Sequence, residues 1–300
     1  MSRRMSMLSI AGGAALWGII GLFVTYLYEF GFTPVQVVAV RVASAAVLLL
    51  LYTYFTSKQS LRIHWKDSHY FIGTGIISIV FFNLCLFIAM DETSIAIAVT
   101  LLYTAPAFVT VFSRFLFGEL FTGSKITALF TTLIGCALVV GLYPYTGFEL
   151  SVYGVIAGLG SGFFYALYSI FATYALRKYS SVTVTVYTFV FASVAILPFA
   201  GLGSLSSAFA QPATWVNIIG IGLFSTTLAF LFYTKGLEKV ESSKASIIAT
   251  IEPVVATLIS FFVFRELLDS WQIFGFLLVI TAVILVQERS RPSFLKRKVS

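Results

Sequence analysis

Hydrophobic positions in this chain come in unbroken runs of about 20 residues, parted by short breaks that hold charges, Pro or Gly. The apolar runs fall at residues 8–28, 34–56, 69–90, 94–116, 122–143, 152–176, 182–203, 214–234, 243–264 and 270–287. A run of this length crosses the hydrocarbon core of a bilayer when wound as an α-helix. The period-two alternation of a membrane β-barrel is absent. The pattern therefore predicts an all-α membrane protein of ten transmembrane helices.

Composition supports the same reading. Of 300 residues, 59% are hydrophobic and 10% charged, with a mean hydropathy of +0.98. Soluble domains carry about 25% charged residues, so most of this surface cannot face water. No stretch is long and polar enough for a separate soluble domain.

The net charge of +7 would suit a nucleic-acid partner, but its placement gives another reason for it. Loops on the cytoplasmic side of a membrane are rich in Lys and Arg. With the N-terminus inside, all of the 19 basic residues except Arg41 and Arg265 fall in or beside cytoplasmic segments. Both termini are thus expected in the cytoplasm of a cell-membrane protein, with no nucleic acid involved. Arg3 and Arg4 precede the first run as its anchor; nothing soluble follows that a twin-arginine signal would export. Cys85 and Cys136 lie within apolar runs and make neither a disulfide framework nor a metal-type spacing.

The two halves repeat. Tyr103-Thr104-Ala105-Pro106 and Phe115-Leu116-Phe117-Gly118-Glu119 are answered by Thr250-Ile251-Glu252-Pro253 and Phe262-Val263-Phe264-Arg265-Glu266, all at an offset of 147. Gly73 and Gly75 meet Gly220 and Gly222 at that offset. One residue further on, Trp17 meets Tyr165, Phe23 meets Phe171 and Tyr26 meets Tyr174. Five helices per half is an odd number, so the second copy enters the membrane in the opposite sense. Inverted repeats of this kind build many secondary transporters, with the substrate site at the midplane between them. The expected organisation is a first repeat over 1–145, a second over 151–290 and a basic cytoplasmic tail over 291–300.

These blocks resemble the drug/metabolite transporter superfamily, specifically its EamA family of two five-helix repeats, over residues 8–288 or so. The resemblance rests on the Pro and Glu thirteen residues apart that close the fourth and ninth helices, on Gly135 and Ala282 in the helices that follow, and on Arg41 within the second. It implies carriage of amino acids, related metabolites, or cationic and aromatic compounds. It also implies a central cavity lined mainly by helices 1, 3, 4, 6, 8 and 9. Arg41 departs from the symmetry, because Phe189 stands at its counterpart.

Glu252 is the residue most suggestive of function. It lies about 14 Å from the cytoplasmic end of the ninth run, where a carboxylate costs roughly 2.5–3.5 kcal/mol to insert unless it faces a cavity or a partner. It would serve as a counter-charge for an amine or as a site for a coupled proton; a structural pair with Arg41 is the alternative. Arg41 could equally snorkel outward or attract anionic groups. Asn83 suits either a cavity wall or a hydrogen bond between helices. Trp17, Tyr103, Tyr165 and Tyr168, with Ser161 and Ser169 near the last two, make an aromatic set that could hold an ammonium by cation–π contact. Packing is the other use for such a set. Pro106 and Pro253 each remove a backbone hydrogen bond and crowd the carbonyl four residues before, predicting matched kinks near the midplane.

Other features read as structural. Gly154, Gly158 and Gly162 recur every four residues and would let another helix approach closely. Glu119 and Glu266 end their helices as symmetric fold determinants, Trp65, Trp215 and Trp271 sit at run ends as interfacial anchors, and His64 and His69 flank a polar loop. There is no phosphate-binding loop for ATP, no cofactor or metal motif and no hydrolase signature. The expected protein is a secondary transporter of a small solute, with a non-transporting membrane accessory or sensor protein as the alternative.

Overall fold

The computed structural model describes residues 1–143 and 151–287. The basic tail expected at 291–300 lies outside them, as do Arg289 and Arg291. Eight helices are long and apolar enough to cross a membrane: α1 (Arg3–Glu29), α2 (Pro34–Thr56), α3 (Trp65–Glu92), α4 (Ile95–Phe117), α6 (Val152–Ala175), α7 (Ser181–Phe199), α8 (Pro212–Leu237) and α9 (Ser242–Phe264). Two shorter apolar helices, α5 (Gly123–Val139) and α10 (Ser270–Val286), complete each half. In lipid every backbone group must find its partner within the protein, and helices meet that demand segment by segment.

The starts follow local chemistry. Ser2, Ser94, Thr122, Ser151 and Ser180 each cap the helix they precede by accepting from a first-turn amide, and Thr33 with Gln36 forms a reciprocal capping box. The apolar run ending at 143 closes early as a helix, because Gly141 turns left-handed at φ 77°. Trp65, Trp215 and Trp271 are all exposed at helix ends; His64 is exposed on the α2–α3 connection and His69 near the start of α3.

Inter-helix packing follows the repeat. α1 packs on α8 and α3 on α6; α1 also meets α9 as α6 meets α4; α2 faces α7 and α5 faces α10. Exchanging the two sets of five helices maps this arrangement onto itself. Particular contacts obey the same exchange. A Cβ on Gly73 would come within 2.5 Å of the Phe171 ring, and one on Gly220 within 2.3 Å of the Phe23 ring. Glycine is required at both places, since each is where α3 and α8 take an aromatic ring from the other half. Both helices also widen into π-helical turns, at Ile72–Val80 around Gly73 and at Leu223–Leu228 just after Gly220. Such turns are rare and gather at functional sites.

Candidate functional site

α4 and α9 are each interrupted near the middle. α4 is two segments, Ile95–Leu102 and Ala105–Phe117, and α9 is Ser242–Ala249 and Ile251–Phe264. Pro106 and Pro253 stand in the first turns of the second segments, where a missing N–H costs nothing. The breaks are tied locally: the Thr104 hydroxyl donates to the Leu101 carbonyl at 2.6 Å and Thr250 to Ile247 at 2.6 Å. Gly162 on α6 leaves room beside the freed carbonyls, since a Cβ there would lie 2.9 Å from Leu101 O and 3.1 Å from Leu102 O. Gly154 and Gly158 continue that close approach against Glu92, Thr93 and Leu101.

Between the two breaks is a narrow cleft of about 10 Å³, roughly the room a single water needs. Tyr103, Pro106, Tyr165, Ser169, Tyr233, Ser246, Thr250 and Glu252 contribute its wall, so it is built by α4, α6, α8 and α9. Glu252 is partly exposed into it, and the Tyr165 hydroxyl donates to a Glu252 carboxylate oxygen at 3.5 Å, the outer limit of a hydrogen bond. The Ser169 and Tyr233 hydroxyls bond one another at 2.7 Å on the adjoining wall.

Arg41 is buried, and its Nε has no hydrogen-bond partner. Its charge lies within electrostatic reach of Glu252 and Tyr165, yet the two form no ion pair in contact. A buried cation and a half-buried anion are thus held near each other, with neither neutralised directly. Glu252 lines the cleft, whereas Arg41 is not among the residues of its wall.

The other residues singled out from the sequence are distributed differently. Trp17 stands one layer behind the wall, its ring 6.3 Å from Tyr165, 4.8 Å from Phe230 and 5.0 Å from Tyr233. Tyr168 is turned away, buried with its hydroxyl bonded to Thr234 at 2.6 Å. Asn83 is buried and donates to Ile79 O on its own helix at 2.7 Å. Ser161 likewise bonds back to Gly158 O. Cys136 is buried and Cys85 partly so, both as free thiols. Among the described residues no group of His, Cys, Asp and Glu converges as metal ligands.

Tyr233, Ser246 and Thr250 belong to the wall and were not foreseen. Tyr233 has no aromatic counterpart in the first half, where Leu86 stands at the 147-residue offset, so the repeat carried no signal for it.

At the face that bears the N-terminus, four charges are gathered where α4 ends and α9 begins. Glu119 accepts from the backbone amides of Ser242 at 2.9 Å and Ser243 at 3.3 Å, and from the Ser243 hydroxyl. Lys125 pairs with Glu119 at 3.3 Å and approaches Glu241 to 2.9 Å, the latter outside hydrogen-bond angles. Lys244 lies 3.9 Å from Glu241.

Comparison with known proteins accords with this geometry. The model of the EamA-like transporter family matches the chain twice, over residues 4–141 and 152–287. An uncharacterized transporter of Archaeoglobus fulgidus is 33% identical over 197 residues, 66% of this chain and 68% of its own. The uncharacterized inner membrane transporter YicL of Salmonella typhimurium is 25% identical across 97% of both chains. A solved crystal structure superposes with a TM-score of 0.78 over 95% of this chain and 97% of its own; at 18% identity it speaks for the fold alone.

Proposed function

The chain belongs to the EamA-like transporter family and is a multi-pass membrane transporter, and from that premise we propose a secondary carrier that moves a small amino acid, amine or related metabolite by alternating access. The two inverted halves rock about the cleft at the α4 and α9 breaks. The positive-inside rule puts the N-terminal face in the cytoplasm, and the inner membrane is the expected location.

The observation that carries this reading is Glu252 partly exposed in the cleft beside Tyr103, Tyr165 and Tyr233. A carboxylate ringed by phenols recognises an ammonium by charge and by cation–π contact. Arg41, buried and without an ion-pair partner in contact, adds a positive charge within electrostatic reach of Glu252. The segment breaks supply the motion: each helix is two short rods that can tilt separately, so the wall of the cleft moves without unwinding.

A thermal-shift screen of the purified protein against amino acids, amines, nucleosides and organic cations tests the proposal. A ligand that binds the folded state raises its apparent stability by mass action. An ammonium-bearing solute is expected to stabilise wild type and to lose that effect in Glu252→Gln. Stabilisation by anions alone, or equal stabilisation of both proteins, would overturn the assignment of Glu252.

A further inference from the structure

The segments that end α4 and α9 are alike in backbone and opposite in engagement. Gly118 and Arg265, 147 residues apart, both adopt the left-handed conformation, at φ 67° and 61°. The next amide then turns back in the same way: Glu119 N–H donates to Ser113 O at 3.2 Å and Glu266 N–H to Ser260 O at 3.3 Å. The local fold is one motif used twice.

The carboxylates differ. Glu119 is 3% exposed and caps the first two amides of α9, those of Ser242 and Ser243. The residue before them, Glu241, supplies no side-chain cap of its own, so the cap comes wholly from α4. All eight residues of the first α9 segment are buried, and that segment packs on the second segment of α4. Glu266, by contrast, is exposed and takes its hydrogen bond from Ser260 of its own helix. The amides that correspond to Ser242 and Ser243 belong to Ile95 and Ala96, at the start of α4, and Ile95 is 70% exposed. No comparable packing joins the first segment of α4 to the second segment of α9.

We propose that Glu119 and Glu266 are alternating latches, one for each face of the membrane. The structure holds the N-terminal face latched and the opposite face released. In the other state Glu266 leaves Ser260 and caps the Ile95 and Ala96 amides, while Glu119 lets go of Ser242 and Ser243. The helix N-terminus attracts the carboxylate through its unpaired amides and its dipole, and only one such cap forms at a time because closing one face tilts the α4 and α9 segments apart at the other. The inference rests on the alternating-access reading, but it concerns conformation and can be tested without a solute.

With Cys85 and Cys136 replaced by Ala, single cysteines at Ala245→Cys, buried in the first α9 segment and away from the cleft, and at Ile95→Cys report water access to the two faces through the rate of modification by a polar maleimide. Glu119→Ala is expected to raise labelling of the Ala245→Cys site by about tenfold or more, the shift given by one charge-assisted hydrogen bond, and to lower that of Ile95→Cys. Glu266→Ala is expected to leave Ile95→Cys reactive and to push Ala245→Cys labelling below the level without it. Shifts in the same direction for both variants, or none, would overturn the latch.

Glu119→Ala empties a buried charged cluster, so a second measurement avoids it. Glu266→Cys combined with Ala96→Cys should form a disulfide in native membranes under mild oxidation, trapping the state not seen here. Persistent absence of that crosslink would contradict the proposal. If labelling shifts reciprocally and the disulfide forms while no solute is ever moved, the latch stands and the carrier reading falls. If a solute is carried and the labelling does not shift, the reverse holds.

Discussion

α4 and α9 break at the same depth, one turn ahead of a proline at the same repeat position, and the two breaks are tied by the same kind of threonine bond to a carbonyl three residues back. Their chemistry is unequal. Where α9 carries Glu252, α4 carries Ala105, which is buried. The second segment of α4 is packed along much of its length, whereas that of α9 buries only Pro253 and Val254. The backbone design is therefore duplicated and the charge is not. Mechanical symmetry suits a carrier that must open to either side, while a bound solute has one orientation and needs one anion.

The largest expected effect follows from that asymmetry. Glu252→Gln keeps the shape of the side chain and removes its charge, so affinity for an ammonium-bearing solute should fall by roughly 10- to 100-fold, as the loss of a charged hydrogen bond implies. Titration calorimetry on the solute found by thermal shift measures it; an unchanged Kd would assign the negative charge no part in binding. At the counterpart, Ala105→Ser should change affinity little.

Gly73 and Gly220 test the symmetric part. Ala at either would force a Cβ against Phe171 or Phe23, and overpacking of this kind costs about 1–3 kcal/mol. The two variants should lower the melting temperature by similar amounts. A large cost at one and none at the other would break the pseudo-symmetry of the packing.

A smaller and opposite pair comes from the left-handed turns. Arg265 is the only non-glycine described residue at positive φ, and Gly118 holds that conformation with no atom within 4 Å of a would-be Cβ. Arg265→Gly should stabilise the fold by about 1 kcal/mol, and Gly118→Ala should destabilise it by about as much. Thermal melts of the two proteins in one detergent compare them directly.

The smallest effect is expected at the surface. Lys178 pairs with Asp67 at 2.5 Å, and Tyr179 also donates to Asp67, joining the start of α3 to the α6–α7 connection. Lys178 is half-exposed, so Lys178→Ala should cost under about 1 kcal/mol and cost less still in high salt.

Much of the fold was legible in the sequence because lipid leaves a chain few choices. Runs of apolar residues must be helices, and the structure places a helix at each of the ten, with ends within a few residues. The repeat was visible for a related reason: Pro, Gly and the helix-ending Glu act through the backbone, and backbone constraints survive divergence of side chains. The site was less legible. Depth pointed to Glu252 and the aromatic set to Tyr103 and Tyr165, and these three share the cleft. Tyr168 and Asn83 lie at similar depth but turn to Thr234 and Ile79, a choice made by neighbours three-dimensionally close and distant in sequence. Glu119 and Glu266 looked equivalent, and locally they are; which one is engaged depends on which face of the bundle is closed.

Counterflow in proteoliposomes tests the central claim most directly. Vesicles loaded with an unlabelled solute identified by thermal shift, then diluted into traces of the labelled form, should accumulate label transiently through wild-type protein without ATP or an ion gradient. Glu252→Gln vesicles of equal protein content should not. Accumulation that is equal in the variant would contradict the placement of the carried solute at Glu252, and none in wild type with a solute that binds would contradict alternating access itself.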